Sequence, residues 1–559
     1  MKKYTYDANK NIYINEEGKS LKYSDGSDEE KKLQLIVEKD IDLSTFSSDL
    51  PLEMNSWPTE YHFSRKRHLV IRQFDIKKGD SVLELGAGCG SVTRYLAEIG
   101  AEVTSVEGTE ARAAVNGARC KGFNNVKIFV DNINEFEIEK KFDWILMIGV
   151  LEYSPKYSNF SEPALEYLNT VQKLLKQEGK FILAIENKLG IKYFNGATED
   201  HNGKPFFGPE DLYDKNDITT WGKKELRVNL LKSGFKSINF YSTFPDYKLP
   251  TLLVHESADK VENFRTEELT HYLKSHDYTG NDRRFFEESF LISSLRKNGL
   301  LSNFANSFVV LCSNLEDVPN KNQLANYYSI GRKKKFCTHT IFEQEKNSLV
   351  VRKELLFNSG DSPEFECELY GNNSVKFKQQ IIPQSDYLNG ALLGFKFSKA
   401  VKRANIEEIH NCLNIWANHL LENFSFYNKN TNEIINKIGS TEINLSDVLI
   451  EGHAIDCGMH NIVVEGNITK NFDLEWQANK PVPFGWVLCR NIIVSLRSNY
   501  KIMPNVEKES LLHYIGKNIN LTVSNSDFSY SMEMEEKFGI NITERDRIDF
   551  LPLTAMFKF

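Results

Sequence analysis

Short apolar runs, each broken by glycine or a polar turn, recur through residues 81–186. Residues 82–85 read as a buried parallel strand, because a strand covered on both faces carries apolar side chains without alternation. Residues 101–106 (AEVTSV), Val126–Val130, Phe142–Ile148 (FDWILMI) and 180–185 (KFILAI) read as four more strands. After the first, 91–99 (SVTRYLAEI) places Val92, Tyr95, Leu96 and Ile99 on one helical face. Strands joined by helices predict an α/β sheet. A helix is expected over 221–232. Residues 237–241 and 308–312 are expected to close the sheet as its last two strands, with a helical insertion over 258–301 between them.

The flanks follow other patterns. Residues 12–14 and 20–23 border Asn15-Glu16-Glu17-Gly18 and read as a small hairpin. Ser27 and Glu30 suggest a capping box before a helix bearing Leu33, Leu35, Ile36 and Val37. In the C-terminal half, Ser348–Leu355 reads as a strand and 381–390 as a hinge. Residues 405–426 read as a long amphipathic helix.

With 559 residues the chain exceeds one ordinary core, so two or three domains are expected. A net charge of -8 argues against a general nucleic-acid binder. Eight cysteines with no C-x-x-C pair argue against a zinc module or a disulfide framework and fit a reducing cytoplasm. The opening MKKYTYDANKN lacks the apolar core of a signal peptide, and no membrane span is expected.

The chemistry-bearing residues cluster at the strand ends. Glu84 leads into Gly86-Ala87-Gly88-Cys89-Gly90, a tight turn that exposes backbone to a ligand ahead of a helix N-terminus. Glu107, followed by Gly108, ends the second strand, where a carboxylate suits the two hydroxyls of a ribose. Asp131 and Asn132 end the third, where they suit an adenine edge, with Ile133 packing on the ring. Gly149 follows the fourth. A nicotinamide site more typically shows G-x-G-x-x-G/A, whereas here the third glycine comes two residues after the second.

This order, ELGAGCG, VEG, DNI and FDWILMIGVLEY, resembles class I S-adenosylmethionine-dependent methyltransferases. The resemblance implies a Rossmann-like sheet binding that cofactor through Glu84, Gly86, Ala87, Gly88, Gly90, Glu107, Gly108, Asp131, Asn132, Ile133 and Gly149. The stretch NKLGIKYFNGATEDH, with FPDYKLP later, resembles methyltransferases attached to bacterial surface-glycan pathways. The acceptor is expected over the ends of the fourth and fifth strands, lined by Glu152, Glu186, Asn187, Tyr193 and His201. For a sugar hydroxyl, His62, Glu186 and His201 are candidate bases. For a phosphate, Arg65, Lys188 and Lys192 offer positive charge. Trp57, Tyr61 and His62 stand at the entry.

Asp456 and Asn461 are five apart, and Asp473 follows in Asp473-Leu474-Glu475. This resembles protein-kinase-like folds, and more closely small-molecule and sugar phosphotransferases. By that resemblance Asp456 is the base, Asn461 and Asp473 are metal ligands, and Lys353 binds phosphate, with ATP and Mg2+ as cofactors. One glycine, Gly331, stands where a glycine-rich loop is usual, and the partner of Lys353 is open among Glu364, Glu366 and Glu368.

The expected organisation is a hairpin and helix over 1–55 covering the acceptor side. A methyltransferase over 56–316 and an α+β two-lobed kinase-like domain over 321–559 follow. The arrangement resembles bifunctional methyltransferase/kinases that cap bacterial O-antigen chains. It implies a glycan or sugar-phosphate acceptor, glycosyltransferases of the same pathway as partners, and a cytoplasmic place at the inner face of the membrane. The alternative is a methyltransferase whose kinase-derived module only binds.

Overall fold

The computed structural model describes residues 3–16, 26–158, 160–280, 284–316, 322–346, 348–357, 362–369, 374–427, 448–497 and 525–543. The chain forms two compact units, one of residues 1–266 and 273–328, the other of 267–272 and 329–559.

The first unit is built on one mixed sheet. Its strands are β1 (Tyr4–Asp7), β2 (Ile12–Asn15), β3 (Ser81–Leu85), β4 (Glu102–Glu107), β5 (Val126–Val130), β6 (Phe142–Ile148), β7 (Leu175–Glu186), β8 (Ser237–Phe244), β9 (Leu252–His255), β10 (Ser307–Ser313) and β11 (Gln323–Ser329). They lie in the order β1-β2-β5-β4-β3-β6-β7-β10-β8-β9-β11. From β2 to β7 all neighbours are parallel. All five residues of β3 are buried, as a central strand covered by helices requires. The helix Ser91–Glu98 buries Val92, Thr93, Leu96 and Ala97, whereas Tyr95 and Ile99 are half-buried. The face is thus turned by one residue from the expected one, because Thr93 is drawn inward to hydrogen-bond Glu84 at 2.5 Å.

The far half of the sheet departs from expectation. β10 runs antiparallel between β7 and β8, so a strand made after both β8 and β9 sits inside the sheet. β9 and β11 extend it beyond β8. The segment expected to be a helical insertion contains the short helices Thr266–Thr270 and Leu301–Phe304 and the longer Glu288–Lys297.

The N-terminal hairpin also differs. Its strands are β1 and β2, and residues 20–23 lie outside the described residues. It adds to the β5 edge through Tyr13–Phe129 and Ile14–Val130, not over the ends of β6 and β7. Tyr13 stacks on Phe129 at 5.0 Å, which favours that edge. Gly117, in the helix Glu110–Arg119, allows the hairpin to approach: a Cβ there would lie 2.0 Å from the Lys10 carbonyl oxygen. The following helix, Ser27–Val37, has Gly26 as N-cap, so Ser27 is its first residue and not the cap expected. It is held by its apolar face, Leu33, Ile36 and Val37, against Val115 and Phe63.

In the second unit, β12 (Thr338–Glu345) and β13 (Ser348–Leu355) form an antiparallel hairpin that β16 (Gln384–Asp386) joins. β14 (Glu364–Glu368), β15 (Ser374–Gln379) and Trp476–Ala478 form a separate sheet. The long helix spans Ile406–Asn423, capped by the Asn405 side chain. Trp416, Trp476, Trp486 and Phe538 centre the core. Trp416 donates to the Cys457 carbonyl at 2.8 Å and so anchors the loop that follows. Among the described residues, no helix is long and apolar enough to cross a membrane.

Candidate active site

A cleft of about 350 Å³ opens at the carboxyl ends of β3, β4 and β6, where ligands of such sheets bind. Gly86, Ala87, Gly88, Glu84, Glu107, Gly108, Asn132, Ile133 and Gly149 line it. The turn is fixed by its backbone: Gly86 and Ala87 donate to the Val106 carbonyl at 2.8 and 3.1 Å. Gly86 has φ +75°, and a Cβ there would lie 2.4 Å from Val150 Cγ2. The Glu107 carboxylate accepts the Gly88 N–H at 2.8 Å and the Thr109 N–H and hydroxyl at 3.0 and 3.1 Å. It is therefore held at the mouth of the glycine turn, with lone pairs left for hydroxyl donors.

Two residues expected at the cofactor do not line this cleft. Gly90 caps the helix Ser91–Glu98 at φ +77°, and a Cβ there would strike Asn116 Oδ1 at 2.2 Å. Asp131 turns to the N-terminal hairpin, accepting from the Tyr4 hydroxyl at 2.6 Å and Asn15 Nδ2 at 3.1 Å.

Burial pushes the Glu84 carboxyl up to about 8, against the opposing pull of the Thr93 hydroxyl and the Arg67 charge. The folded state thus holds a proton that the unfolded chain releases near pH ~4.3. Stability is expected to fall as pH rises from about 4 to about 8. Glu84→Gln, neutral throughout, should remove that share of the slope, as urea midpoints at about pH 5 and 8 will show.

The other end of the cleft is lined by Glu152, Tyr153, Asp200, His201, Tyr247, Lys248 and Tyr278. Glu152 lies on the turn Leu151–Tyr153 after β6, and Glu186 is the last residue of β7. Lys248 binds both Glu186 and, at 2.5 Å, Asp200. Asp200 also takes Lys192 at 2.8 Å. Burial alone raises a carboxyl, but the two lysines hold Asp200 well below the usual range. Its partners in turn push Lys248 well above the ordinary lysine value against its burial. Glu152 has no such partner, and burial, followed by the charge of Glu186, drives its carboxyl well up. Gly149 leaves room for Tyr247: a Cβ there would meet the phenol oxygen at 2.5 Å.

Several expected acceptor residues take structural places. Asn187 donates to the carbonyls of Asn303 and Ala305 at 2.9 and 2.7 Å, and Tyr193 is buried outside the cleft. Arg65 binds the Ser47 carbonyl, and Lys188 bridges Asp211 and Glu225. Trp57, Tyr61 and His62 do line the cleft, with Tyr61 under Arg67 at 4.2 Å. Lys248, Asp200 and Tyr247 were not singled out in the sequence, although FPDYKLP and ATEDH contain them.

The second unit brings Lys353, Asp456, Asn461 and Asp473 together. Lys353, on β13, pairs with Asp473 and Glu475. Its carboxylate partners are these two: Glu364 pairs with Lys376, and Glu366 takes the Ser374 hydroxyl. Arg332 adds a second cation on Glu475 at 2.5 Å. Burial raises the Glu475 carboxyl, but Arg332 and Lys353 outweigh it and bring it to about 2. Asn461 Nδ2 donates to the carbonyls of Asp456 and Asp473 at 2.9 and 3.4 Å. Burial raises Asp456 to about 6 against the charge of Arg490. Asp473 has φ +55°, a left-handed conformation uncommon outside glycine.

Residues 76–219 match the family model described as a methyltransferase domain. A pavine N-methyltransferase of Thalictrum flavum subsp. glaucum is 30% identical over 96 residues, 16% of this chain and 27% of that protein. A demethylmenaquinone methyltransferase of Tropheryma whipplei is 28% identical over 117 residues, 21% of this chain and 46% of that one. The matches thus span between about a quarter and a half of these relatives. Among solved structures, Haemonchus contortus phosphoethanolamine N-methyltransferase 2 with S-adenosyl-L-methionine shares 16% identity at a TM-score of 0.28, covering 45% of this chain and 55% of that one. A S-adenosylmethionine-dependent methyltransferase of Thermotoga maritima shares 13% at 0.28, covering 49% and 100%. Residues 76–219 of the chain thus carry a methyltransferase domain.

Proposed function

We propose that the chain transfers a methyl group from S-adenosylmethionine to an oxygen of a glycan or sugar-phosphate acceptor. The observation that carries this is one cleft with two unlike ends: a glycine turn with Glu107, and a polar chamber of Glu152, Asp200, His201 and Lys248. The residues present fit the cofactor. Glu107 lines the cleft beside the backbone of the glycine turn, where a ribose would meet it, Asn132 and Ile133 suit an adenine, and Arg67 offers charge to a carboxylate. When bound, the cofactor supplies a methyl group on a cationic sulfur. The chain's part is to align the acceptor and exclude water. A hydroxyl acceptor that took the methyl group would have to give up its proton. His201 and Glu152 reach the cleft to take it, whereas Glu186 is turned to Lys248.

The test is transfer of labelled methyl from S-adenosylmethionine to oligosaccharides with and without a terminal phosphate. Label on the saccharide supports the reading, and label on amines alone overturns it. His201→Ala should lower turnover about a hundredfold while cofactor affinity stays unchanged.

The second unit extends the proposal to phosphoryl transfer. What supports it is the cluster of Lys353, Asp473, Asn461 and Asp456 in one unit. The residues fit Mg2+ and ATP in kind: two carboxylates, an amide and a lysine. Asp473→Asn should abolish Mg2+-dependent ATP turnover and leave methyl transfer intact. A wild-type protein that binds ATP without turnover would make this unit a binding module.

A further inference from the structure

We propose that Glu152, Glu186 and His201 form a binding site for a divalent transition-metal cation of the Mn2+ class. The three come from separate segments, and one ligand atom of each lies within 4.8 Å of the others. Glu152 and Glu186 are both 0% exposed. Neither carboxylate oxygen of Glu152 receives a hydrogen bond, nor does Glu186 Oε2, nor does His201 Nε2 have a partner. A buried acceptor left unmatched is destabilising, and here three side chains converge with lone pairs free. A common cation resolves all of them.

Charge points the same way. Lys248 and Lys192 pair with Glu186 and Asp200, which leaves Glu152 within the field of Lys248 but with no ion pair of its own among the described residues. Two carboxylates and one imidazole suit Mn2+ and its neighbours better than Ca2+, which prefers an all-oxygen set. The surroundings hold the donors in place. Tyr153 hydroxyl meets His201 Nδ1 at 3.4 Å, leaving Nε2 as the ligating nitrogen. Glu199 accepts the His201 backbone N–H at 2.8 Å. Lys248 fixes Glu186 through its other oxygen. Glu152 and His201 line the cleft, so open coordination positions face the acceptor. The cation then takes an acceptor oxygen as ligand and makes its proton easier to lose to solvent, so that with the cation bound Glu152 and His201 act as ligands and not as bases, a role that rests on the methyl-transfer reading.

The experiment is titration of the full chain with Mn2+, read by calorimetry and pulsed electron paramagnetic resonance. All proteins carry Asp473→Asn, which removes one carboxylate of the other cluster. One bound Mn2+ with nitrogen coupling is expected. Glu152→Gln and His201→Ala should each weaken it at least about tenfold, and the latter should erase the nitrogen coupling. S-adenosylhomocysteine affinity, measured on each variant, reports folding. Absence of Mn2+ binding in a protein that binds S-adenosylhomocysteine overturns the inference and leaves the methyl-transfer reading standing. So does Mn2+ binding indifferent to both substitutions, or a methylammonium ion bound there in its place. Mn2+ bound as expected by a protein that fails to methylate any saccharide keeps the cation site and removes the methyl-transfer reading.

Discussion

Lys248→Ala is expected to destabilise the methyltransferase unit by about 3–5 kcal/mol. The side chains of Glu186 and Asp200 are only 1% and 4% exposed, and Lys248 binds both. Removing it leaves Glu186 without a cation partner and Asp200 with Lys192 alone. The effect exceeds that of an exposed pair, worth about 0–1 kcal/mol, because water cannot replace the lost ammonium. Urea unfolding at neutral pH measures it. The pH dependence has a definite sign. Asp200 titrates well below the usual range when folded, so its contribution is present above about pH 4 and is lost as pH falls through the folded value. Lys248 titrates above its ordinary value, so its contribution is present below about pH 10.4 and is lost above it. The deficit of the variant should therefore be constant between these limits and shrink towards acid, where the orphaned carboxylates take up protons.

Glu107→Ala is expected to weaken S-adenosylmethionine binding at least about tenfold. A hydrogen bond between a charged group and a ligand is worth about 1.5–3 kcal/mol, and this carboxylate has a ribose diol to meet. Its loss also frees the Gly88 N–H and the Thr109 N–H and hydroxyl that it now holds. Calorimetry with the variant decides it, and unchanged affinity would remove Glu107 from the cofactor site. The fold should survive, because the glycine turn hangs on the Val106 carbonyl and not on this side chain.

The parallel half of the sheet was legible because its signals are local. β3, β5 and β6 are short, mostly apolar runs, and each ends in glycine or a polar turn. The antiparallel half was not, since β10 reaches its place between β7 and β8 only after a segment of more than sixty residues, and no periodicity encodes that return. β1 was missed because YTYD alternates without an aliphatic residue, and its support comes from Phe129 far along the chain. The glycine turn and Glu107 share the cleft as their spacing suggested. Lys248 and Asp200 were invisible for another reason: each sits in a loop, and only the folded chain sets them beside Glu186. Asp131 shows the reverse case. Its position after β5 is right for an adenine edge, yet Tyr4 and Asn15 supply closer donors.

The hairpin at the β5 edge has a consequence for synthesis. Asn15 and its partner Asp131 are 116 residues apart. At ribosomal speeds of about 5–20 residues per second, β2 waits on the order of ten seconds before β5 is made. A two-stranded hairpin alone is marginal in water. Tyr6 and Tyr13, which touch at 4.9 Å, lack the ring of Phe129 until it is made. These two strands are thus made well before they can become stable, and nascent chains should keep this segment open to proteases until residue 130 has emerged.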